Sequence, residues 1–351
     1  MAELEVALLG YGLAGAVFHA PLIASVPGLR LAVVVTSNPE RAARATREHP
    51  GVVVLDAAER VWERAGELDL VVVVVATPNR THAPLALAAL EAGLPVVVDK
   101  PMAVDAAEGQ ELVDRARARG LLLTVFQNRR WDGDLLTVRR LLEEGALGRV
   151  WRFESRFERW RPVAKPGWRE AGGPEDAGGM LNDLGSHLVD QALHLFGPAT
   201  LVYGELERRR PGMRVDDDAF VALTHASGVR SHLWMSAVAA QLGPRLRVLG
   251  DRAAYVKHGL DGQEEALRTG HRPDGPVWGE EPPARWGLLG TEEQARPVPT
   301  EPGAYQRFYE GLVAALHGEA PPPVDPAEAV ATLRVLDAAR RSAGERAAVR
   351  L

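Results

Sequence analysis

The sequence predicts an α/β protein of two domains, in which a doubly wound parallel sheet is followed by an α+β domain with a large, mostly antiparallel open sheet. Continuous valine- and leucine-rich runs, which indicate strands buried on both faces, alternate with helical segments through the first third of the chain. Later, apolar and polar residues alternate, as in strands with one solvated face. A chain of 351 residues suits two cores, which we place at residues 1–128 and 129–351.

Composition restricts the class of protein. With 46% hydrophobic and 25% charged residues, the chain is typical of a globular protein. A net charge of −6 argues against nucleic acid or an anionic membrane as the main partner. No signal segment precedes the first strand and no apolar run approaches the roughly 20 residues of a membrane helix, so we expect a cytoplasmic protein. The absence of cysteine excludes disulfides, thiolate catalysis and cysteine-ligated zinc.

The first domain carries a glycine-rich loop directly after its first strand. Its six expected strands are Leu4–Leu9, Leu31–Val35, Val52–Leu55, Leu70–Val75, Val96–Val98 and Leu121–Phe126. The loop has the pattern G-x-G-x-x-G and consists of Gly10, Tyr11, Gly12, Leu13, Ala14 and Gly15. Glycine there allows a tight turn, close approach of the backbone to a pyrophosphate and close packing of the following helix. The loop therefore predicts a Rossmann domain that binds a dinucleotide.

The residues after the second strand favour NADP, although NAD stays possible. A carboxylate that accepts the ribose 2′-hydroxyl of NAD would repel a 2′-phosphate. Here the strand is followed instead by Thr36, Ser37 and Asn38, with Arg41 nearby. Ser37 and Asn38 can donate to phosphate oxygens, and Arg41 can add a charge-assisted contact. The alternative is that these residues only form a turn and a helix cap.

The second domain is predicted to be α+β. Apolar and charged residues alternate from Trp151 to Glu158, and five further strands are expected at Leu201–Leu206, Ala219–His225, Arg230–Val238, Leu246–Leu249 and Ala253–Lys257. Residues 261–303 are rich in glycine, proline and glutamate and are expected to be irregular. Two helices close the chain, and the second begins at Asp325, where an N-cap acid is followed by proline.

One helix of this domain, following Gly178, carries an unusual polar stripe. At 100° per residue, its apolar side chains occupy one broad arc, which predicts a core face. A narrow stripe on the other side holds Asp183, His187, Asp190 and His194. Such a helix suits the wall of a cleft. The alternative is a solvated face that happens to carry histidine.

Two loops at strand ends add polar groups where ligands of open α/β sheets bind. The first comprises Ala76–His82 after the fourth strand, and the second contains Lys100 and Pro101 after the fifth. Only three of the 41 basic residues are lysines, so a lysine retained at this place indicates a functional role. The alternative is a solvated surface lysine.

With these motifs the chain resembles the Gfo/Idh/MocA oxidoreductases over essentially its whole length. The matching motifs are the glycine-rich loop, the T-P-N-x-x-H of Thr77–His82, the K-P of Lys100–Pro101 and the G-G-x-L-x-D-x-x-x-H of Gly178–His187. The chain departs from the pattern at Asp99, where the family more often has glutamate. The glycine-rich loop and the stretch Gln127–Asp132 resemble the subgroup that contains NADP-dependent scyllo-inositol dehydrogenases.

The resemblance implies that Lys100, Asp183 and His187 form the catalytic set of an NAD(P)-dependent dehydrogenase or reductase. Oxidation of an alcohol by hydride transfer also requires a base for the hydroxyl proton. His187 can accept that proton near neutral pH, Asp183 can orient His187, and Lys100 can stabilise alkoxide charge. Whether Lys100 or His187 takes the proton first stays open. No metal is expected, because hydride transfer needs none.

The remaining site residues are assigned by the resemblance and by their places near strand ends. Cofactor contacts are expected from Ala76, Thr77, Pro78, Asn79, His82, Lys100 and Gln127. Substrate contacts are expected from His19, Asn128, Arg130 and Trp168. For Asn79 and His82 the alternative is a turn or helix cap, and for the arginine and the tryptophan it is packing.

The expected substrate is a cyclic polyol or sugar, inositol-like, with no nucleic-acid or membrane partner. One alternative is a non-catalytic regulatory protein of the same fold that binds a dinucleotide or sugar. Intact Lys100, Asp183 and His187 argue against it. A second alternative is a reductase of another C=O or C=N substrate. The resemblance also implies a homodimer or homotetramer formed through the sheet of the second domain.

Overall fold

The computed structural model describes residues 3–165, 167–173 and 176–351, which form two compact units. The first unit comprises the chain up to Asn128 together with Gln263–Trp278 and Ala304–Val330. The second comprises Arg129–Gly262, Gly279–Gly303 and Ala331–Leu351. Within the described ranges, no helix combines the length and the apolar character needed to cross a bilayer.

The first unit is built on a parallel sheet of six strands. They are β1 (Leu4–Leu9), β2 (Leu29–Val35), β3 (Val53–Leu55), β4 (Leu70–Val75), β5 (Val96–Asp99) and β6 (Leu123–Phe126). The order β3-β2-β1-β4-β5-β6 shows that the chain winds to one side of β1 and then to the other. The predicted doubly wound sheet is confirmed. Because all neighbouring strands are parallel, their carboxyl ends lie along one edge.

The helices of this unit follow the strands in alternation. They are α1 (Ala20–Ser25), α2 (Pro39–Glu48), α3 (Glu59–Arg64), α4 (His82–Glu91) and α5 (Ala106–Arg119), and a wide π-type turn at Ala14–His19 leads into α1. Residues at the two ends of α5 determine where this helix begins and ends. The Asp105 carboxylate accepts two N–H groups of the first turn, and Gly120 ends the helix in the left-handed region at φ +62°.

The second unit contains a nine-stranded mixed sheet. Its strands are β7 (Val150–Glu158), β8 (Ala199–Glu207), β9 (Asp218–His225), β10 (Arg230–Ser236), β11 (Leu246–Gly250), β12 (Ala254–Lys257), β13 (Gly287–Gly290), β14 (Ala295–Val298) and β15 (Val349–Arg350). The order is β14-β13-β12-β11-β7-β10-β9-β8-β15. The pair β7–β10 is parallel and the other described pairs are antiparallel, which confirms the predicted open sheet. Its first helices are α6 (Gly133–Glu143), α7 (Trp168–Ala171) and α8 (Ser186–Phe196).

The expectation of an irregular segment over residues 261–303 is wrong. This segment contains α9 (Gln263–Arg268) and strands β13 and β14, which extend the sheet beyond β12. Glycine and proline are uncommon in strands, so the sequence of β13 and β14 does not indicate them. Gly290 ends β13 at φ +146°, and Pro297 lies in the edge strand β14, where a missing N–H is tolerated.

Two helices, α10 (Gln306–Leu316) and α11 (Pro326–Glu345), close the chain, and α10 belongs to the first unit. Phe308 of α10 lies edge-on to Phe126, with 5.0 Å between ring centroids. The hydroxyl of Thr124 donates to the Val324 carbonyl at 2.8 Å. The expected continuous domain over 129–351 is therefore interrupted, because aromatic side chains of α10 complete the apolar core beside β6.

Candidate active site

The glycine-rich loop lies at the carboxyl end of β1. Gly10 has φ +97°, and a Cβ there would lie 2.6 Å from the Ala76 carbonyl oxygen. A Cβ at Gly15 would overlap the Gly10 carbonyl oxygen. At Gly12, by contrast, a Cβ would meet only Arg41 Nη1 among the described residues, at 3.8 Å. The fold thus requires glycine at positions 10 and 15, and Gly12 leaves room for an anion.

The side chain of Tyr11 belongs to the interior of the first unit. Its hydroxyl donates to Glu48 Oε2 at 2.9 Å, and Arg44 Nε donates to the other carboxylate oxygen at 2.8 Å. Burial, together with Glu48, raises the pKa of Tyr11 above its ordinary value. Any contact of Tyr11 with a cofactor therefore falls to its backbone, whereas the side chain of Leu13 is 44% exposed.

The residues after β2 form both a helix cap and an exposed polar surface. Asn38 Oδ1 accepts the N–H of Arg41 at 2.9 Å and caps α2. Thr36 Oγ1 accepts the N–H of Asn38 at 3.3 Å. Ser37 and the side chain of Arg41 are exposed, and the Arg41 guanidinium lies beside Gly12. Ser37 and Arg41 are therefore accessible next to the glycine-rich loop.

The loop after β4 is tied to the loop after β5 by His82. The His82 ring is fully buried, and its Nδ1 and Nε2 atoms lie 2.8 Å from Pro101 O and 2.9 Å from Thr77 O. This geometry corrects the expectation of a direct contact between His82 and the cofactor, because both ring nitrogens face backbone carbonyls. Within the same loop Asn79 is buried and Pro78 is exposed.

Lys100 follows β5 in a turn whose Lys100–Pro101 peptide is cis. Asp99 Oδ1 accepts the backbone N–H of Lys100 at 2.8 Å. Burial acts to raise the pKa of the Asp99 carboxyl, but His19, Lys100 and His82 hold it below its usual value. Lys100 is half-buried and follows a strand of the same parallel sheet as the glycine-rich loop. Both features therefore lie at the carboxyl edge of that sheet.

His19 lies inside the first unit, which corrects the expectation that it contacts a polyol. Its side chain is fully buried, and Nδ1 lies 2.6 Å from the Tyr309 hydroxyl. The ring packs against Phe126, with 4.3 Å between centroids. The imidazole is thus enclosed by aromatic side chains from β6 and α10.

Gln127 and Asn128 follow β6 and are 2% and 5% exposed. The Gln127 side-chain oxygen has no hydrogen-bond partner within the described part of the chain. A buried acceptor left without a donor is costly, so its presence points to a donor supplied by a ligand or by water. Gln127 is therefore suited to bind an amide group.

Asp183 and His187 lie in the second unit, on a helix that starts with a wide turn. Leu181–Gly185 forms a π-type turn that continues as α8. His187 is 5% exposed, and the Asp183 carboxylate lies 3.9 Å from Arg169 Nε. In a π-type turn, successive residues are rotated about the helix axis by less than the 100° of an α-helix. Asp183, in this turn, is therefore out of line with the stripe members in α8, and the single regular stripe predicted from the sequence does not form.

Asp190 and Arg130 form a buried ion pair, which favours a structural role for Arg130, and the expected contact of Arg130 with substrate stays a prediction. Arg130 Nε donates to Asp190 Oδ2 at 2.8 Å, and Nη2 donates to Oδ1 at 2.6 Å. The exposed fractions of the two side chains are 7% and 2%. The guanidinium is therefore engaged by a carboxylate inside the unit. His194, the last member of the stripe, is exposed.

Trp168 begins α7 and is half-buried. The Arg169 guanidinium lies 4.6 Å from the centroid of its ring. This stacking supports the packing alternative, and a substrate contact by Trp168 stays a prediction. Elsewhere, no cluster of three or more potential metal ligands occurs among the residues that the structure describes.

Asp216, absent from the predicted site, caps the helix that carries Asp183 and His187. Its Oδ2 atom accepts the N–H of Leu181 at 2.7 Å. Gly179 has φ +89°, and a Cβ there would overlap the Asp216 carboxylate. Asp216 lies 35 residues from Leu181 in a run of three acids, so no local pattern marks it as a cap.

Comparisons with known proteins agree with this geometry. An oxidoreductase family model with an NAD-binding Rossmann fold matches residues 4–127, and a GFO/IDH/MocA C-terminal domain model matches residues 135–256. The oxidoreductase YdgJ of Escherichia coli K12 is 40% identical over 349 residues, which is 98% of each chain. The scyllo-inositol 2-dehydrogenase (NADP(+)) IolW of Bacillus subtilis 168 is 33% identical over 352 residues, covering 99% of this chain and 96% of IolW.

A solved structure shows the same fold. The oxidoreductase yvaA of Bacillus subtilis superposes with a TM-score of 0.92 at 31% identity, covering 99% of both chains. The two family models together match well over half of the chain, and YdgJ matches 98% of it. The chain therefore belongs to the Gfo/Idh/MocA family of oxidoreductases.

Proposed function

We propose that this protein transfers hydride between a nicotinamide cofactor and a hydroxyl or keto carbon of a cyclic polyol or sugar. The observation that carries the proposal is the position of Lys100, which lies at the carboxyl edge of the sheet that also holds the glycine-rich loop. The name of IolW, a scyllo-inositol 2-dehydrogenase, supports the substrate class.

The first unit fits a dinucleotide. Gly12 leaves space where a pyrophosphate could approach the backbone, and Arg41 lies beside it. The buried oxygen of Gln127 would accept a hydrogen bond from the carboxamide. When bound, the nicotinamide supplies the donor or acceptor of hydride.

Side chains of the protein accept the proton that the substrate hydroxyl loses. Oxidation of an alcohol requires that the hydroxyl lose its proton to a base. The proposal gives the role of base to His187 or Lys100, and that of orienting the imidazole to Asp183. The Lys100 ammonium donates a hydrogen bond to the reacting oxygen and stabilises the alkoxide charge that develops there.

A substrate panel tests the activity. Inositols, aldoses and ketoses are offered with NADP and NAD in both redox states, and nicotinamide absorbance is followed. We expect turnover of at least one cyclic polyol or its ketone. Lys100→Met and His187→Ala should lower kcat by at least about 100-fold with little change in cofactor affinity. Lys165→Met, at an exposed lysine, is the matched control. A wild-type protein that binds dinucleotide but turns over nothing would favour a regulatory protein.

We further propose that NADP is preferred over NAD. Support comes from Ser37 and Arg41, which are exposed after β2 and could bind a 2′-phosphate, and from β2 itself, which does not end in a carboxylate. The ratio of kcat/KM for NADPH to that for NADH should be well above one, and Ser37→Asp should reverse it. Arg41→Ala should weaken NADPH alone, whereas Arg47→Ala, at the far end of α2, should change neither cofactor. A wild-type preference for NADH contradicts this proposal.

The open sheet is also proposed to join copies of the chain as a homodimer or homotetramer. Phe220 and Trp234 lie side by side on it, with 5.1 Å between centroids, and the Arg156 guanidinium lies 3.9 Å from the Trp234 centroid. Arg156 also pairs with Glu154 at 3.2 Å, so the face carries both charges and can complement a second copy. Light scattering should give a multiple of the monomer mass that Trp234→Glu reduces. A monomeric wild type contradicts this proposal.

A further inference from the structure

Buried side chains connect α10 to the turn that carries Lys100. Tyr309 of α10 is fully buried, and its hydroxyl lies 2.6 Å from His19 Nδ1. On the opposite side of the ring, His19 Nε2 lies 3.8 Å from Asp99 Oδ1. The same oxygen accepts the backbone N–H of Lys100 at 2.8 Å. Two hydrogen bonds, joined by the longer electrostatic contact between His19 and Asp99, therefore connect Tyr309 to the backbone of Lys100.

The Tyr309 hydroxyl can stabilise one of the two tautomers of the His19 ring. Burial and the nearby Asp99 raise the pKa of Tyr309 well above its ordinary value, so the phenol stays protonated and can donate to Nδ1 in the tautomer whose hydrogen lies on Nε2. Nε2 then carries the hydrogen, which points toward the Asp99 carboxylate. In the other tautomer, an Nε2 lone pair would face the carboxylate and repel it. Asp99 and the donating Tyr309 hydroxyl thus favour the same tautomer of His19.

Aromatic packing fixes both rings independently of this hydrogen bond. The centroid of Phe126 lies 4.3 Å from that of His19 and 5.8 Å from that of Tyr309. Tyr309→Phe therefore removes the donor and leaves the packing of the two rings in place. The hydroxyl can be tested on its own.

We propose that Tyr309 is a positioning residue for Lys100, acting through His19 and Asp99. The proposal rests on the function proposed above, in which Lys100 acts on the reacting oxygen. It also assigns a role to the segment Ala304–Val330, which returns to the first unit and brings Tyr309 to the turn after β5. The far side of this turn is held separately by His82, which contacts the Pro101 carbonyl. Loss of the Tyr309 hydroxyl should therefore misplace Lys100 without unfolding the turn.

The first test compares Tyr309→Phe with Tyr255→Phe, which removes an equally buried hydroxyl in the second unit. With the substrate that the panel identifies, we expect Tyr309→Phe to lower kcat by about 10-fold, because a misplacement of about 1 Å can cost about 100-fold and Lys100 should move by less. KM for NADPH should change less than 2-fold, since the glycine-rich loop is untouched. Tyr255→Phe should keep the wild-type kcat.

A double-mutant cycle then tests the route through His19. In His19→Gln the side-chain amide can donate to Asp99 whatever Tyr309 does, because an amide has no tautomer to select. Tyr309→Phe should therefore lower kcat much less in the His19→Gln background than in the wild type. An equal loss in both backgrounds would mean that Tyr309 does not act through His19.

Nitrogen NMR of histidine-labelled protein gives a readout that does not depend on turnover. The chain has 10 histidines, and His19→Gln identifies the signals of His19. In the wild type, Nε2 should carry the hydrogen, and Tyr309→Phe should shift this pattern. Unchanged His19 signals, or a wild-type kcat in Tyr309→Phe, overturn the inference while leaving the proposed function in place. A wild-type protein without turnover contradicts the proposed function instead.

Discussion

Replacing Arg130 by methionine should destabilise the second unit strongly. The guanidinium makes two hydrogen bonds of 2.8 and 2.6 Å to Asp190. Both side chains are at least nine-tenths buried, so solvent screens the pair little. Arg130→Met removes the cation and leaves the Asp190 carboxylate inside the unit without the charge that balances it.

The expected cost follows from this burial. Removing one partner of a buried pair costs about 3–5 kcal/mol, because the remaining charge is left desolvated. For a unit of roughly 150–250 residues, each kcal/mol lowers Tm by about 2–4 °C, so Arg130→Met should lower Tm by about 10 °C. Adding Asp190→Leu removes the stranded charge and should restore most of the loss.

Circular dichroism and substrate kinetics separate the structural role of Arg130 from substrate binding. The wild type, Arg130→Met, Asp190→Leu and the double variant are melted at pH 7, and KM for the substrate is measured at 20 °C on those that stay folded. We expect a low Tm for Arg130→Met, and for the double variant a restored Tm with KM within about 3-fold of wild type. A normal Tm in Arg130→Met would contradict the structural role of Arg130, and a restored Tm with KM raised 10-fold or more would show that Arg130 binds substrate.

Three further perturbations test other parts of the structure. Gly15→Ala would place a Cβ against the Gly10 carbonyl, so dinucleotide affinity should fall at least about 10-fold in a fluorescence titration. Gly66→Ala, at an open position, should leave dinucleotide affinity unchanged. Asp216→Ala removes the cap on Leu181 and should cost about 1–2 kcal/mol of unfolding free energy in a urea titration. Burial, with Asp261 and Asp134, raises the pKa of the Asp132 carboxyl to about 8, above its value in the unfolded chain. The folded state therefore holds this proton more tightly than the unfolded state does. The stability that this proton contributes is lost as pH rises toward 8. Asp132→Asn should remove a slope of at most about 1.4 kcal/mol per pH unit between pH 6 and 8, and an unchanged slope would mean that Asp132 is ionised there.

The parallel sheet and its ligand edge could be predicted because their signals are local. Runs such as Leu70–Val75 are apolar throughout, as strands buried on both faces must be. The carboxyl ends of such strands lie at one edge, so the places of the glycine-rich loop and of Lys100 followed from the strand order alone. The requirement for glycine at position 15 has the same local origin, because a Cβ there would meet the Gly10 carbonyl, whereas Gly10 itself is required by the distant Ala76 carbonyl.

The partners of polar side chains could not be predicted, because they depend on contacts between distant parts of the chain. Arg130 and Asp190 are 60 residues apart, and His19 and Tyr309 are 290 residues apart. Arginine and histidine near a ligand edge suggest binding, yet here the fold engages them inside each unit. The π-type turn at Leu181–Gly185 likewise has no clear sequence signal. The polar stripe was therefore predicted for a regular helix, and the structure does not contain it in that form.

Transfer of deuterium from the cofactor tests the central claim most directly. The protein is given NADPH that carries two deuterium atoms at the nicotinamide C4 position, together with the ketone identified by the panel, and the product alcohol is analysed by mass spectrometry. The proposed function predicts a product one mass unit heavier than the unlabelled alcohol, formed at least about 100-fold more slowly by Lys100→Met. A product of unlabelled mass, or labelled product formed by Lys100→Met at the wild-type rate, would contradict it.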